Sequence, residues 1–102
     1  MSTKNKEARS FLESRVGPLT VGKLLGSIRM SEGISQVEFA TNLGISKSHL
    51  CDIEQDRKNL SLERAVTFAK ILGYPKEQFV RLALQGLLDK EDISMTVSVK
   101  AA

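Results

Sequence analysis

Two short helices with almost nothing between them are the strongest constraint in this sequence. Ser35-Gln36-Val37-Glu38 is a capping box, Ile34 and Phe39 are placed as its hydrophobic staple, and Gly44 follows as a left-handed terminator. Only Ile45 separates Gly44 from Ser46, which is a second N-cap, and Ile45 with Leu50 repeats the staple geometry. One helix must therefore end and the next begin within a single tight turn. Projected at about 100° per residue, the second helix turns Leu50 and Ile53 inward with Glu54 beside them. Ser48, Cys51, Asp52 and Gln55 then face outward, flanked by Lys47 and His49.

The flanking sequence supplies three more helices. Thr20 caps a helix whose Val21, Leu24, Leu25 and Ile28 form one apolar stripe and which ends near Gly33. Gly22 and Gly26 lower its propensity and point to the close approach of another backbone. Asp56, Arg57, Lys58 and Asn59 make a loop. Ser61 then caps a fourth helix, whose Leu62, Ala65, Ala69 and Leu72 return to the core before Gly73, and Pro75 opens a fifth at its first position. In that fifth helix Phe79, Val80, Leu82, Ala83, Leu84, Leu87 and Leu88 take up more circumference than one core-facing stripe needs, so a second buried surface is expected. Beyond it, Ile93, Met95, Val97 and Val99 alternate with polar residues up to Lys100 in the period of a β-strand, and the helical chain offers that strand no partner. Residues 1–18 form an N-terminal arm in which Ala8, Phe11, Leu12 and Val16 fall near helical spacing, as a short docking helix would need. The expected organisation is this arm, a helical domain over 19–74, and a segment over 75–102 for dimerisation or partner binding.

Composition narrows the function. A chain of 102 residues has room for one domain, and 41% hydrophobic with 26% charged residues is ordinary globular usage. Cys51 is the single cysteine, no Cys/His set suits zinc, and no apolar run suits a membrane span or a secretory signal, so a cytoplasmic protein without a metal or other cofactor is expected. No nucleophile stands with a base and no glycine loop could cradle phosphate, which argues against an enzyme. Asp52, Glu54, Asp56 and Glu63 fall at calcium-loop positions, but Arg57 fills the position that requires glycine. The formal charge is +3, and residues 1–29 carry six basic against two acidic residues while 30–60 carry three against five. Basicity is concentrated in the N-terminal third, where it suits phosphate without demonstrating a nucleic-acid partner.

A pair of brief helices joined by a tight glycine turn is a helix-turn-helix, the motif that offers its second helix to the major groove. The run SQVEFATNLGISKSHLCDIE, followed by SLERAVTFAKILG, resembles the phage-repressor type of helix-turn-helix domain, the Xre family, over about residues 20–74. The resemblance implies a compact helical DNA-binding domain, usually dimeric, and does not cover the tail beyond Tyr74. With the fifth helix and the C-terminal alternation added, the expected fold is mainly α, a five-helix domain with a C-terminal β-strand used in dimerisation. By the same resemblance Lys47, Ser48 and Asp52 fall at base-reading positions, and Gln36 is a phosphate contact that also steadies the recognition helix. Ser46, Arg57, Lys58 and Asn59 fall on the DNA backbone, and Arg29 and Glu54 match a pair that ties the first helix to the end of the third. His49, Cys51 and Gln55 are candidate flank contacts, with His49 equally suited to packing and Cys51 to an inert small residue. This sequence departs from the family at Asp56, where glycine is usual, at Cys51, where serine is common, and at Asn59-Leu60, which lacks the usual proline.

The expected function is a transcriptional repressor that binds double-stranded, pseudo-palindromic DNA as a homodimer, with no membrane partner. Its expected dimer interface is Val80, Leu84, Leu87, Leu88, Ile93, Met95, Val97 and Val99. The alternative is an antitoxin, similar to the HigA-like proteins, that neutralises a small toxin protein and represses its own operon.

Overall fold

Four of the five described helices begin on a hydroxyl side-chain cap, and three end on a left-handed glycine. The computed structural model describes residues 18–102, in which α1 (Val21–Glu32), α2 (Gln36–Leu43), α3 (Lys47–Glu54), α4 (Leu62–Leu72) and α5 (Lys76–Lys90) follow in order. The helix expected around Phe11, and the basic residues of the arm, lie outside the described residues. Thr20, Ser35, Ser46 and Ser61 each accept a hydrogen bond from the backbone N–H three residues on, at 3.1 to 3.2 Å. Those bonds satisfy donors that a helix start otherwise leaves open, each worth about 1 kcal/mol. At the other ends Gly33, Gly44 and Gly73 take φ of 67°, 75° and 74°, the left-handed conformation that stops a helix and turns the chain. α5 starts one residue later than the proline position suggested, with Pro75 as its N-cap.

One core joins all five helices. Leu25 of α1, Phe39 of α2, Leu50 and Ile53 of α3, Phe68 of α4 and Phe79 of α5 are its largest fully buried side chains. Ile34 and Ile45, the staple residues, pack half-buried against it. α5 packs along α4 and against α1, placing Phe79, Leu82 and Ala83 in the same core, and the Tyr74 ring meets Phe79 edge-on at 6.1 Å. Residues 76–83 are thus structurally continuous with the domain that precedes them.

Where α1 crosses α3, glycine decides the distance. A Cβ at Gly22 would run into the carbonyl of Ile53 and come within 2.7 Å of Asp56 Oδ1, so α1 lies directly on the C-terminal end of α3. Gly26, one turn later, has ordinary room: its nearest neighbour would be Glu54 Oε1 at 3.8 Å. The close approach expected at both glycines therefore holds only at the first. Gly86 on α5 is a second tight point, since a Cβ there would lie 2.9 Å from Asn59 Oδ1.

The strand expected over residues 93–100 is not formed in the single chain. A ladder needs a second strand, and none exists among the described residues. Asp92 instead ends α5 at φ 56°, with Ile93 N–H bonded to Leu88 O at 2.9 Å. The chain then turns back along the helix. There the Gln85 amide donates to Met95 O at 2.8 Å and accepts from Val97 N–H at 2.9 Å, standing in for the missing strand.

The glycine contrast gives a direct test. Gly22→Ala should destabilise the domain by about 1 to 3 kcal/mol through overpacking against backbone that cannot yield. Gly26→Ala should be neutral or add up to about 1 kcal/mol of helix propensity. Urea denaturation of both variants checks this, and equal losses would show that α1 is not fixed at Gly22.

Candidate nucleic-acid interface

The outward face of α3 rests on two side chains with no exposure, Leu50 and Ile53, so the helix cannot rotate without opening the core. Lys47 and Ser48 project into solvent in its first turn, Cys51 and Asp52 are half-buried one turn on, and Gln55 is exposed at its end. Lys47, Ser48 and Asp52 therefore share one accessible face.

Glu54 locks this helix to the two before it. Its carboxylate, with a side chain only 6% exposed, accepts from Arg29 Nε at 2.9 Å, Arg29 Nη2 at 3.0 Å and Gln36 Nε2 at 3.1 Å. Arg29 Nη1 also donates to Ile34 O at 3.2 Å, in the turn between α1 and α2. The hydrogen bond to Glu54 raises the Arg29 pKa above the ordinary arginine value. Gln36 thereby uses one of its two amide N–H donors to hold α3, and the second is left for a phosphate.

The loop after α3 is organised just as tightly. Asp56 takes φ 59°, a left-handed conformation that explains why glycine suits this position and why aspartate, which tolerates it, is an acceptable replacement. Its carboxylate accepts from Thr20 Oγ1 at 2.7 Å, fastening the loop to the start of α1. Arg57 Nε reaches Asp52 Oδ1 at 2.9 Å, Lys58 Nζ lies 3.7 Å from Asp52 Oδ2, and Arg57 Nη2 lies 3.5 Å from Cys51 Sγ. Hydrogen bonding from Arg57, with Lys58 nearby, holds the Asp52 carboxyl below the usual carboxylate range. Asn59 turns away from this surface: its Nδ2 donates to Ala83 O on α5 at 2.8 Å, in the space that Gly86 leaves open. Only its main chain remains available to a phosphate. Three of the four acids considered for a calcium loop thus point to separate partners, Asp52 to Arg57 and Lys58, Glu54 to Arg29 and Gln36, and Asp56 to Thr20.

Arg64, in the first turn of α4, was not foreseen. Its Nη1 lies 2.9 Å from His49 Nδ1 and 3.2 Å from Nε2, and donates to whichever ring nitrogen carries the lone pair. Burial first, then the charges of Arg64 and Lys58, lower the His49 pKa and favour the neutral ring that can accept this bond. The available signal was weak: Arg64 follows the Ser61 cap by one turn, but only the packed fold brings that turn beside α3.

A short, polar, outward helix on a rigid mount, flanked by exposed cations, defines a helix-turn-helix module. The chain belongs to the helix-turn-helix family HTH_3, whose sequence pattern matches residues 25–79, and that is a family of DNA-binding regulators. It is similar to the immunity repressor protein of Bacillus phage phi105, with 40% identity over 55 residues covering 54% of this chain and 38% of that protein. The chain thus matches well under half the length of this relative. No solved structure matches it. Among the described residues no helix is long and apolar enough to cross a membrane.

Removing the Glu54 carboxylate should be the most damaging polar change at this surface. Glu54→Ala leaves Arg29 uncompensated beside the core and should approach a loss of about 3 to 5 kcal/mol. Glu38→Gln, on the exposed side of α2, should stay within about 0.5 kcal/mol. Thermal melts of the two variants decide it, and equal melting temperatures would remove Glu54 from its bridging role.

Proposed function

We propose that this chain is a sequence-specific, double-stranded DNA-binding transcriptional repressor that acts as a homodimer on a pseudo-palindromic operator. The observation that carries the reading is the outward face of α3, held by Leu50, Ile53 and Glu54 and offering Lys47, Ser48 and Asp52 together. An α-helix fits the major groove, where lysine can bond guanine O6 and N7 and aspartate can accept from cytosine N4. Ser46, Gln36, Arg57, Lys58 and the Asn59 main chain would lie along phosphates, with His49, Cys51 and Gln55 at the flanks. The name of the phage relative, an immunity repressor, supports repression as the outcome.

Support for the dimer comes from α5 and the segment folded back on it. Leu87, Ile93 and Met95 remain 47%, 42% and 64% exposed and Leu84, Leu88, Val97 and Val99 are half-buried, whereas Val80 packs against the core. Apolar surface left exposed on a helix and on the segment folded back along it is the kind that an interface covers. A two-fold axis across α5, with the tails paired or crossed, would cover it with one sequence and set two recognition helices about one DNA turn apart, ~34 Å. In the antitoxin alternative the same tail would augment the sheet of a toxin.

Two experiments test this. Selection from random-sequence duplex with Lys58→Ala should return the wild-type motif with weaker binding, whereas Lys47→Ala should change the motif, because a base contact discriminates by ~1 to 3 kcal/mol and a phosphate contact does not. The reverse pattern would exchange their roles. Deleting residues 92–102 should weaken both dimerisation in sedimentation and operator binding. An intact dimer with undiminished binding would release the tail for another partner and leave α5 to hold the dimer alone.

A further inference from the structure

Among the outward-facing residues of α3, Asp52 alone is acidic, and in the unbound chain both its carboxylate oxygens face cations. One carboxylate oxygen accepts from Arg57 and the other faces the Lys58 ammonium, at 2.9 and 3.7 Å. The Asp52 backbone carbonyl also accepts the amide N–H groups of Arg57 at 2.8 Å and Lys58 at 3.2 Å. One residue therefore fixes the loop twice, through the backbone and through charge. The two cations remain mostly exposed, at 57% and 63%, against 29% for the acid, so solvent-borne phosphate can reach them.

A carboxylate set between a guanidinium and an ammonium offers the same charge sign and acceptor geometry as a DNA phosphate. We propose that Asp52 is an internal phosphate mimic, a positioning residue that occupies Arg57 and Lys58 in the unbound protein and so suppresses binding to duplex of arbitrary sequence. The inference rests on the DNA-binding reading above and adds a determinant of specificity to the same surface. On arbitrary duplex a phosphate must share or displace the carboxylate, and the displaced acid is left facing a polyanion without a partner. At a site that presents a cytosine amino group, the displaced carboxylate gains that donor in exchange. Binding is thereby weakened more on the wrong sequence than on the right one.

Asp52→Asn tests this cleanly, because it keeps the backbone carbonyl that anchors the loop and removes only the charge. The probe is a short mixed-sequence duplex, titrated by fluorescence anisotropy over a range of salt concentrations. Relative to wild type, Asp52→Asn should bind roughly three- to tenfold more tightly at low salt, and its slope of log K against log salt should steepen by about one unit. Asp52→Glu, which retains the charge, should behave like wild type, and adding Arg57→Gln to Asp52→Asn should largely cancel the gain. A brace alone would not move the salt slope, so an unchanged slope with equal or weaker binding by Asp52→Asn overturns the proposal. Failure of both wild type and variant to bind any duplex would instead remove the DNA reading, and this inference with it.

Discussion

The arrangement depends most on the carboxylate of Glu54. It sits at the end of α3, nearly out of solvent, and gathers donors from α1 and α2. A buried acid is tolerable only when its oxygens are satisfied, and here Arg29 supplies a two-point clamp while Gln36 supplies a third bond. Gly22 permits the contact by letting α1 lie against the Ile53 carbonyl, which brings the Arg29 side of the helix within reach. The angle of α3 to the rest of the domain is therefore set by a polar bridge and a backbone contact together. Leu50 and Ile53 supply the burial that holds them in place.

Around that fixed helix the polar residues divide their tasks. Thr20 both caps α1 and donates to Asp56, so the start of one helix also secures the loop after another. Asn59 braces the same loop from the other side by bonding α5. Arg57 and Lys58 are left as the exposed part of a segment pinned at both ends. A cation so placed loses little freedom on meeting a phosphate, which is the advantage of a preorganised surface.

Much of this was legible in the sequence, because helix ends and apolar stripes are local signals. Ser35, Ser46, Ser61 and the three left-handed glycines marked the helix boundaries, and the stripe through Leu50 and Ile53 told which face of α3 would be outward. What escaped was set by partners distant in sequence. Asn59 reads as a loop residue until α5 is packed beside it, and Arg64 reads as an ordinary first-turn cation until α4 brings it to His49. The alternation from Ile93 to Val99 has the period of a strand, but a strand is a paired state and none forms there. Without a second strand, Gln85 takes up two of its backbone groups instead.

If the outward face of α3 enters the major groove as proposed, disulfide trapping on DNA will report it. With Ser48→Cys in a Cys51→Ser background, duplex selected by the protein would carry a thiol tether either on cytosine N4, in the major groove, or on guanine N2, in the minor groove. Major-groove entry by α3 requires rapid cross-linking to the N4 tether within each half-site and none to the N2 tether. Cross-linking confined to the N2 tether, or to neither while the duplex stays bound, would contradict it.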